Sequence, residues 1–332
     1  MKRQKLTAIA AMLLIVGGIL AGCTSKGGRK EAPKGNSATS GTLVMSCDAS
    51  FENIMQEEIE VFEFCYPYAS VLADYTDEKA AIDSVVLGNA RVAVVSRELT
   101  KDQLQYLKER KRVAKTKKIA VDAIAVIVNP ENPIENLSIK ELREILTGSV
   151  TRWDELCPTK LGSIQVIFDH SGSSIVKYMS DSLMNGQKFP ANVYSANTIP
   201  AVFEAVKNRP NAIGLVGVSW ISTDLKTADM STEEKFKTLE ADDTTTTEFT
   251  TEVKVLPIRR DNSLVAVKPY QAYIFDGSYP LFRSIYMINT GAAGSLANGF
   301  FSFVTSFQGQ KLIQTTGVLP ALVSHRQVEV TD

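Results

Sequence analysis

The sequence predicts an α/β protein with mainly parallel sheets, and three observations carry that prediction. Short apolar runs alternate with segments whose apolar residues recur at helical spacing. Short polar loops stand between several of these runs and the helices that follow. The 332 residues are 44% hydrophobic and 22% charged, ordinary for a soluble globular chain of about two domains.

Thr42–Cys47 is a short apolar strand. After Asp48-Ala49-Ser50, the residues Phe51, Ile54, Met55, Ile59 and Phe62 fall at near-helical spacing. Val71–Tyr75 and Arg91–Ser96 are strands on either side of a helix over Asp77–Leu87. Lys118–Asn129 is a long and mostly apolar strand. Ser138 and Glu141 form a capping box, Leu137 and Leu142 supply the apolar pair around it, and that helix stops at Gly148. Ile164–Phe168 and Ile213–Val218 are further strands, accompanied by helices at Ser173–Leu183 and Ile199–Lys207. Ser222–Lys254 breaks the rhythm: it is rich in Thr, Asp and Glu, and it reads as a surface excursion or hairpin. Strands follow at Thr251–Leu256 and Leu264–Ile274, then helices at Tyr279–Ile288, Ala293–Ser306 and Gly309–Thr316. There is no internal repeat at solenoid periods.

The first residues have another purpose. Lys2, Arg3 and Lys5 precede an apolar stretch from Leu6 to Leu20, the pattern of a secretory signal peptide over residues 1–22. Thr24 to Gly41 holds Gly, Ser, Lys and Pro without a large apolar residue, so residues 23–41 read as a flexible tether. From Thr42 onward the chain has 29 basic and 36 acidic residues. A basic nucleic-acid binder is excluded by that balance. With two histidines in the whole chain, His-rich metal catalysis is excluded as well, and neither metal nor cofactor is expected. Cys47, Cys65 and Cys157 are read as free thiols.

Two of the predicted helices begin directly after polar loops at strand ends, Asp48-Ala49-Ser50 and Ser171-Gly172-Ser173-Ser174. Helix starts leave backbone N–H groups unpaired and carry partial positive charge, so they suit tetrahedral oxyanions. Serine hydroxyls add donors, although most serines before helices are simple N-caps. Ser96-Arg97 closes a third strand. These loops and the strand end make Ala49, Ser50, Ser96, Arg97, Gly172, Ser173 and Ser174 the candidate ligand set. Ser174 with Lys177 matches an S-x-x-K pattern, but no K-T-G or S-D-N partner exists, so no enzyme is expected. His170, Trp153 and Trp220 read as structural or cleft-rim residues.

Leu20-Ala21-Gly22-Cys23 resembles the lipobox of bacterial lipoproteins, which implies cleavage before Cys23 and lipid on its thiol. The body resembles the phosphate-binding lipoproteins that feed phosphate ABC importers, in their divergent Bacteroidetes-type branch. The resemblance rests on Ser96-Arg97-Glu98-Leu99, on Asp122 through Pro130 with Asn132-Pro133, and on Leu137-Ser138-Ile139-Lys140-Glu141-Leu142. Leu146-Thr147-Gly148 with Thr151-Arg152-Trp153, Ser171-Gly172-Ser173-Ser174, Ile213-Gly214 with Val216-Gly217, and Gly277-Ser278-Tyr279-Pro280-Leu281 complete it.

That resemblance implies two α/β lobes of the type II periplasmic-binding-protein kind, joined by two crossover strands. Lobe 1 would be 42–120 plus 262–332 and lobe 2 would be 121–261. It implies a monomer, anchored in the cell envelope by lipid, that holds inorganic phosphate or a similar oxyanion between its lobes for an importer permease. The alternative is an envelope interaction protein that keeps the fold and transports nothing. The sequence departs from the family where Arg97 stands in place of Asp, Asp169 in place of Arg and Ile175 in place of Thr. Arg97 and Asp169 read as an exchanged pair, Arg97 supplying affinity and Asp169 separating phosphate from sulfate.

Overall fold

Six consecutive residues with no solvent exposure, Ala123–Val128, mark the centre of the molecule. Such a run belongs to a strand covered on both faces. The computed structural model describes residues 35–224, 229–239 and 247–322.

The chain opens with β1 (Ser40–Asp48), a 3-10 turn at Ala49–Phe51, and α1 (Glu52–Cys65). β2 (Tyr68–Thr76), α2 (Glu78–Leu87), β3 (Val92–Val95) and α3 (Lys101–Glu109) lead to β4 (Lys115–Val128). Next come β5 (Leu137–Ser138), α4 (Ile139–Thr147), β6 (Gln165–Phe168) and α5 (Ser174–Ser182). β7 (Val193–Ser195), α6 (Ile199–Asn208), β8 (Ala212–Gly217) and β9 (Ser222–Asp224) follow. α7 (Thr232–Thr238), β10 (Thr247–Phe249), β11 (Lys254–Val255), β12 (Ile258–Arg259) and α8 (Gln271–Phe275) precede β13 (Phe282–Asn289). α9 (Leu296–Val304), α10 (Phe307–Thr315) and β14 (Leu319–Pro320) close the described chain.

The main sheet runs β2-β1-β3-β13-β4-β8-β6-β7, with β11 and β14 also on β4. Its flanks are parallel: β1 with β2 and β3, and β6 with β7 and β8. The antiparallel pairs gather at β4 and β13. β4 serves both halves in turn. Lys115–Ala123 lies beside β13, and Ile124–Val128 lies beside β8. One long strand thus ties the two flanks together, and the strand ends of each flank carry the polar turns.

Local signals explain most elements. Ser138 Oγ accepts from the Glu141 N–H at 3.1 Å while Glu141 reaches back to the Ser138 N–H at 2.7 Å. Leu137 and Leu142 are both fully buried beside that cap, and Gly148 ends α4. Phe62 of α1 meets Phe300 and Phe303 edge-on at 5.1 and 5.3 Å, which packs α1 against α9. β9 and β10 pair antiparallel, and the short helix α7 lies between them in sequence.

Four expectations change. The segment 279–288 is not a helix: from Phe282 it is β13, because burial alternates along Phe282, Arg283, Ser284, Ile285 and Tyr286 with period two. Leu264–Ile274 is not a strand either. Leu264 is 99% exposed, Val267 makes a lone bridge to Ile258, and Pro269, which has no N–H, precedes α8. Within Thr251–Leu256 the strand is confined to Lys254–Val255, against β4, with the Leu256 N–H donating to the Val126 carbonyl at 2.9 Å. Residues 36–41, expected in the tether, belong to the body: Asn36 Oδ1 accepts from the Leu296 N–H at 3.1 Å, and β1 begins at Ser40. Helix α3 appears where no element was expected. The signal peptide, Cys23 and residues 24–34 of the tether lie outside the described residues.

Candidate functional site

Strand ends from both flanks converge on a buried polar cluster. At the end of β1, the Ser50 N–H donates to Asp48 Oδ1 at 2.9 Å, so the aspartate holds the turn. Ala49 and Ser50 lie in the 3-10 turn, and α1 starts only after it. Ser50 is fully buried, and the Ser174 and Ser50 side chains both favour the charged Asp48 carboxylate against the effect of burial. The Ser50 carbonyl accepts from Trp220 Nε1 at 3.0 Å, and Asn53 Nδ2 donates to the Ser219 carbonyl at 3.3 Å. These two bonds join the β1 turn to the turn after β8. Ser219 Oγ is a further buried hydroxyl without a partner.

The second turn follows β6. Ser173 is the N-cap of α5, its Oγ accepting from the Val176 N–H at 3.2 Å. Ser174 is buried and accepts a hydrogen bond from Arg283 Nη1. Gly172 lies close to the cap of α2: a Cβ there would fall 3.1 Å from Asp77 Cβ, a tight contact. Asp169 is 1% exposed, with His170 Nδ1 at 3.1 Å from its Oδ2 and no partner for Oδ1. Asp169 first, then Asp48 and Asp77, raise the His170 imidazole above its ordinary range, against the effect of burial. Ile175, where the family pattern has Thr, is fully buried in the core.

The third strand end is differently engaged. The Ser96 N–H donates to Glu78 Oε1 at 2.9 Å, and Ser96 Oγ donates to the same oxygen. Arg97 Nε lies 3.8 Å from Glu78 Oε2, and Nη1 donates to the Glu98 carbonyl at 3.0 Å. Arg97 and Asp169 therefore have different partners, Glu78 and His170. Arg97 is also half-exposed, whereas the cluster between the two turns is dry.

The cation in that dry cluster is one that sequence reasoning missed. Arg283, on β13, is 5% exposed. Its Nε and Nη2 donate to Asp122 Oδ2 at 3.2 and 3.0 Å, its Nη1 to Ser174, and its guanidinium lies 4.6 Å from the Phe51 ring centre. Asp122 Oδ1 accepts from the Val218 N–H at 3.1 Å. Gly217 permits this approach, since a Cβ there would fall 2.9 Å from Asp122 Oδ2. Burial raises both Asp48 and Asp122, and Arg283 pulls each back. The available signal was an arginine inside an apolar segment, hidden by reading that segment as a helix. No group of metal ligands occurs among the described residues.

Side chains from both flanks, Phe51, Asp122 and Ser174, meet at the buried Arg283. A family model for the PBP superfamily domain matches residues 32–307. The chain belongs to this superfamily. Its substrate-binding proteins of phosphate ABC transporters are extracytoplasmic and are not enzymes. The phosphate-binding protein PstS of Bacillus subtilis is 23% identical over 328 residues, 96% of this chain and 95% of that protein. PstS of Pseudomonas aeruginosa is 23% identical over 311 residues, 88% of each chain. PstS 2 of Streptococcus agalactiae is 31% identical, but over 118 residues that span 36% of this chain and 38% of that relative.

Solved structures agree on the fold. A putative phosphate ABC transporter substrate-binding protein from Clostridium perfringens, with bound phosphate, superposes with a TM-score of 0.66 at 19% identity. It is covered completely and covers 85% of this chain. An ABC-type phosphate transport receptor from Vibrio cholerae gives 0.59 at 21% identity, covering 84% of this chain and all of that one. The architecture is thus the two-lobe binding-protein fold, and the mixed sheet centred on β4 is its form here. No helix among the described residues is long and apolar enough to cross a membrane.

Proposed function

We propose that this protein captures inorganic phosphate, or a closely similar tetrahedral oxyanion, between its two lobes and delivers it to an ABC importer. The lobes in this reading are 42–120 with 262–332, and 121–261. The carrying observation is the buried Arg283, held between Asp122 and the Ser174 hydroxyl at the start of α5. The buried hydroxyls of Ser50 and Ser219 lie in the same interior. An arginine fork, a helix start and spare hydroxyls are what a tetrahedral anion needs. Full-length likeness to phosphate-binding proteins of Bacillus subtilis and Pseudomonas aeruginosa supports the choice of ligand. Lipid on Cys23 would keep the protein at a membrane surface and the permease within reach.

The ligand set in this reading is Ala49, Ser50, Gly172, Ser173, Ser174 and Arg283, with Asp169 beside them and Ser96–Arg97 at the rim. A second reading, an envelope interaction protein without transport, draws on Glu78 holding both Ser96 and Arg97. Titration with phosphate decides between them. Phosphate at millimolar concentration raises the melting temperature by mass action and compacts the protein in small-angle scattering. If phosphate changes neither, the transport reading fails and the interaction reading stands.

A further inference from the structure

β1 and β3 run parallel and end at the Asp48 turn and beside Ser96. The opposite end of the same strands collects positive charge. Asn289 of β13 pairs both with Lys115, the first residue of β4, and with Val92, the first of β3. Between Lys108 and Lys118, from the end of α3 into β4, stand seven basic residues and one acid. The rest of the body from Thr42 onward has 22 basic against 35 acidic residues. Lys108, Arg110, Lys111, Lys115, Lys117 and Lys118 are all exposed, and none makes an ion pair among the described residues. The one acid, Glu109, accepts from Gln105 Nε2 at 3.0 Å. Arg91 is exposed at the same end, its carbonyl accepting from the Thr290 N–H at 2.8 Å.

Exposed cations by themselves indicate only solubility. A second observation gives these a partner, because the N-terminal segment enters the body at the same place. Asn36 Oδ1 accepts from the Leu296 N–H at the start of α9, and a Cβ on Gly299 would collide with the Ala38 carbonyl. Asn298, next to that crossing, accepts from Lys115 Nζ at 3.4 Å, and Lys117 Nζ lies 5.9 Å from the Phe301 ring centre. Thirteen residues separate Cys23 from Asn36, which holds a lipid on Cys23 within about 45 Å of the crossing. Lys26, Arg29, Lys30 and Lys34 against Glu31 give that segment the same sign.

We propose that this basic pole is a docking surface for an anionic phospholipid membrane, acting together with the lipid on Cys23. The proposal rests on the lipid-anchor reading above and adds to it the face that the body turns toward the bilayer. A body held only by a lipid and a tether is free to rotate. Unpaired cations beside a negatively charged surface fix which side faces it. β1 begins at Ser40, near the tether's entry, and ends at Asp48 beside the Arg283 cluster. Its nine residues put about 25 Å between the two ends, about three Debye lengths at physiological salt. The Arg283 cluster therefore stays clear of the negative potential that depletes anions near such a surface.

Lysine footprinting of the lipidated protein tests the docking face. The protein is bound to preformed vesicles of phosphatidylcholine, alone or mixed with phosphatidylglycerol, and treated with a membrane-impermeant acetylating reagent. With phosphatidylglycerol present, acetylation of Lys108, Lys111, Lys115 and Lys117 is expected to fall about fivefold. Lys79 on α2 and Lys140 on α4 react as before. High salt restores the labelling. In the variant Lys108→Glu, Lys111→Glu, Lys115→Glu, protection of Lys117 is lost while the melting temperature and the phosphate affinity stay unchanged.

Equal acetylation in the two kinds of vesicle overturns the proposal and leaves the lipid anchor intact. Protection that survives high salt or the triple substitution also overturns it, because the contact is then not electrostatic. A mature protein whose mass shows no lipid on Cys23 removes the anchor reading itself, and this proposal with it.

Discussion

Arg283 gives two N–H groups to a single oxygen of Asp122, Nε at 3.2 Å and Nη2 at 3.0 Å from Oδ2. The two side chains are almost fully buried, and they come from neighbouring antiparallel strands, with Arg283 and Asp122 directly opposite in the ladder. A buried pair of this kind is a weak source of net stability, but breaking it leaves a charge with no solvent to hold it. Asp122→Ala is expected to cost about 3–5 kcal/mol of unfolding free energy. Urea denaturation measures it. A loss under about 1 kcal/mol would show that Asp48 already neutralises Arg283 without Asp122.

Glu58 supplies a second stability test, away from the site. It is fully buried on α1, and neither carboxylate oxygen has a hydrogen-bond partner. Burial, with the charge of Glu57 adding to it, raises its carboxyl well above the ordinary range. The folded state therefore holds Glu58 protonated where the unfolded chain would release the proton. Its favourable contribution is complete below the unfolded pKa and is lost as pH rises toward the raised folded value. Glu58→Gln keeps the shape and removes that dependence. The variant is expected to melt higher than wild type at neutral pH, with the two curves converging in acid. Equal melting temperatures at neutral pH would contradict it.

The parts of this fold that were legible in the sequence are those set by local chemistry. The Ser138–Glu141 box, the apolar run of β4 and the N-cap at Ser173 needed no tertiary information. β13 was misread because Ile285, Tyr286, Ile288 and their neighbours are apolar at both strand and helix spacings; pairing with β3 and β4 settles the matter. The site shows the same division. Ser50 and Ser174 were recognisable from loops before helices. Arg283 was not, because its role exists only when β13 lies beside β4 and brings it to Ser174. The ion pair of Arg97 was hidden for the converse reason: nothing near it in sequence reveals that Glu78 faces it.

The proposed lipid anchor makes a prediction of its own. Leu20-Ala21-Gly22-Cys23 supplies the only cysteine at the expected cleavage point, and one acyl chain alone would bind a membrane only weakly. Cys23→Ser is expected to leave an unprocessed precursor that incorporates no labelled palmitate. Normal processing and labelling of that variant would end the lipoprotein reading.

The two arginines separate the sequence-based picture of the site from the structural one. Arg97 is half-exposed and shares its charge with Glu78, so the anion gains little from it beyond what solvent already gives. Arg283 is dry, and its Nη1 already reaches the start of α5, where a tetrahedral anion would find backbone N–H groups as well. A charge-assisted bond in such surroundings is worth about 1.5–3 kcal/mol, and the planar fork cannot be reproduced by an ammonium group. Arg283→Lys keeps the positive charge opposite Asp122 while removing the fork, which limits the loss of stability. It is expected to weaken phosphate binding by about tenfold or more, whereas Arg97→Ala changes it by less than about threefold. Calorimetric titration of both variants at one pH and one ionic strength makes the comparison. Ser174→Ala serves as the check on geometry, because it removes the hydroxyl that Arg283 touches and leaves both arginines in place. It should fall between the two. If Arg97→Ala proves the more damaging substitution, the anion sits at the end of β3 beside Glu78, and the Arg283 cluster is structural.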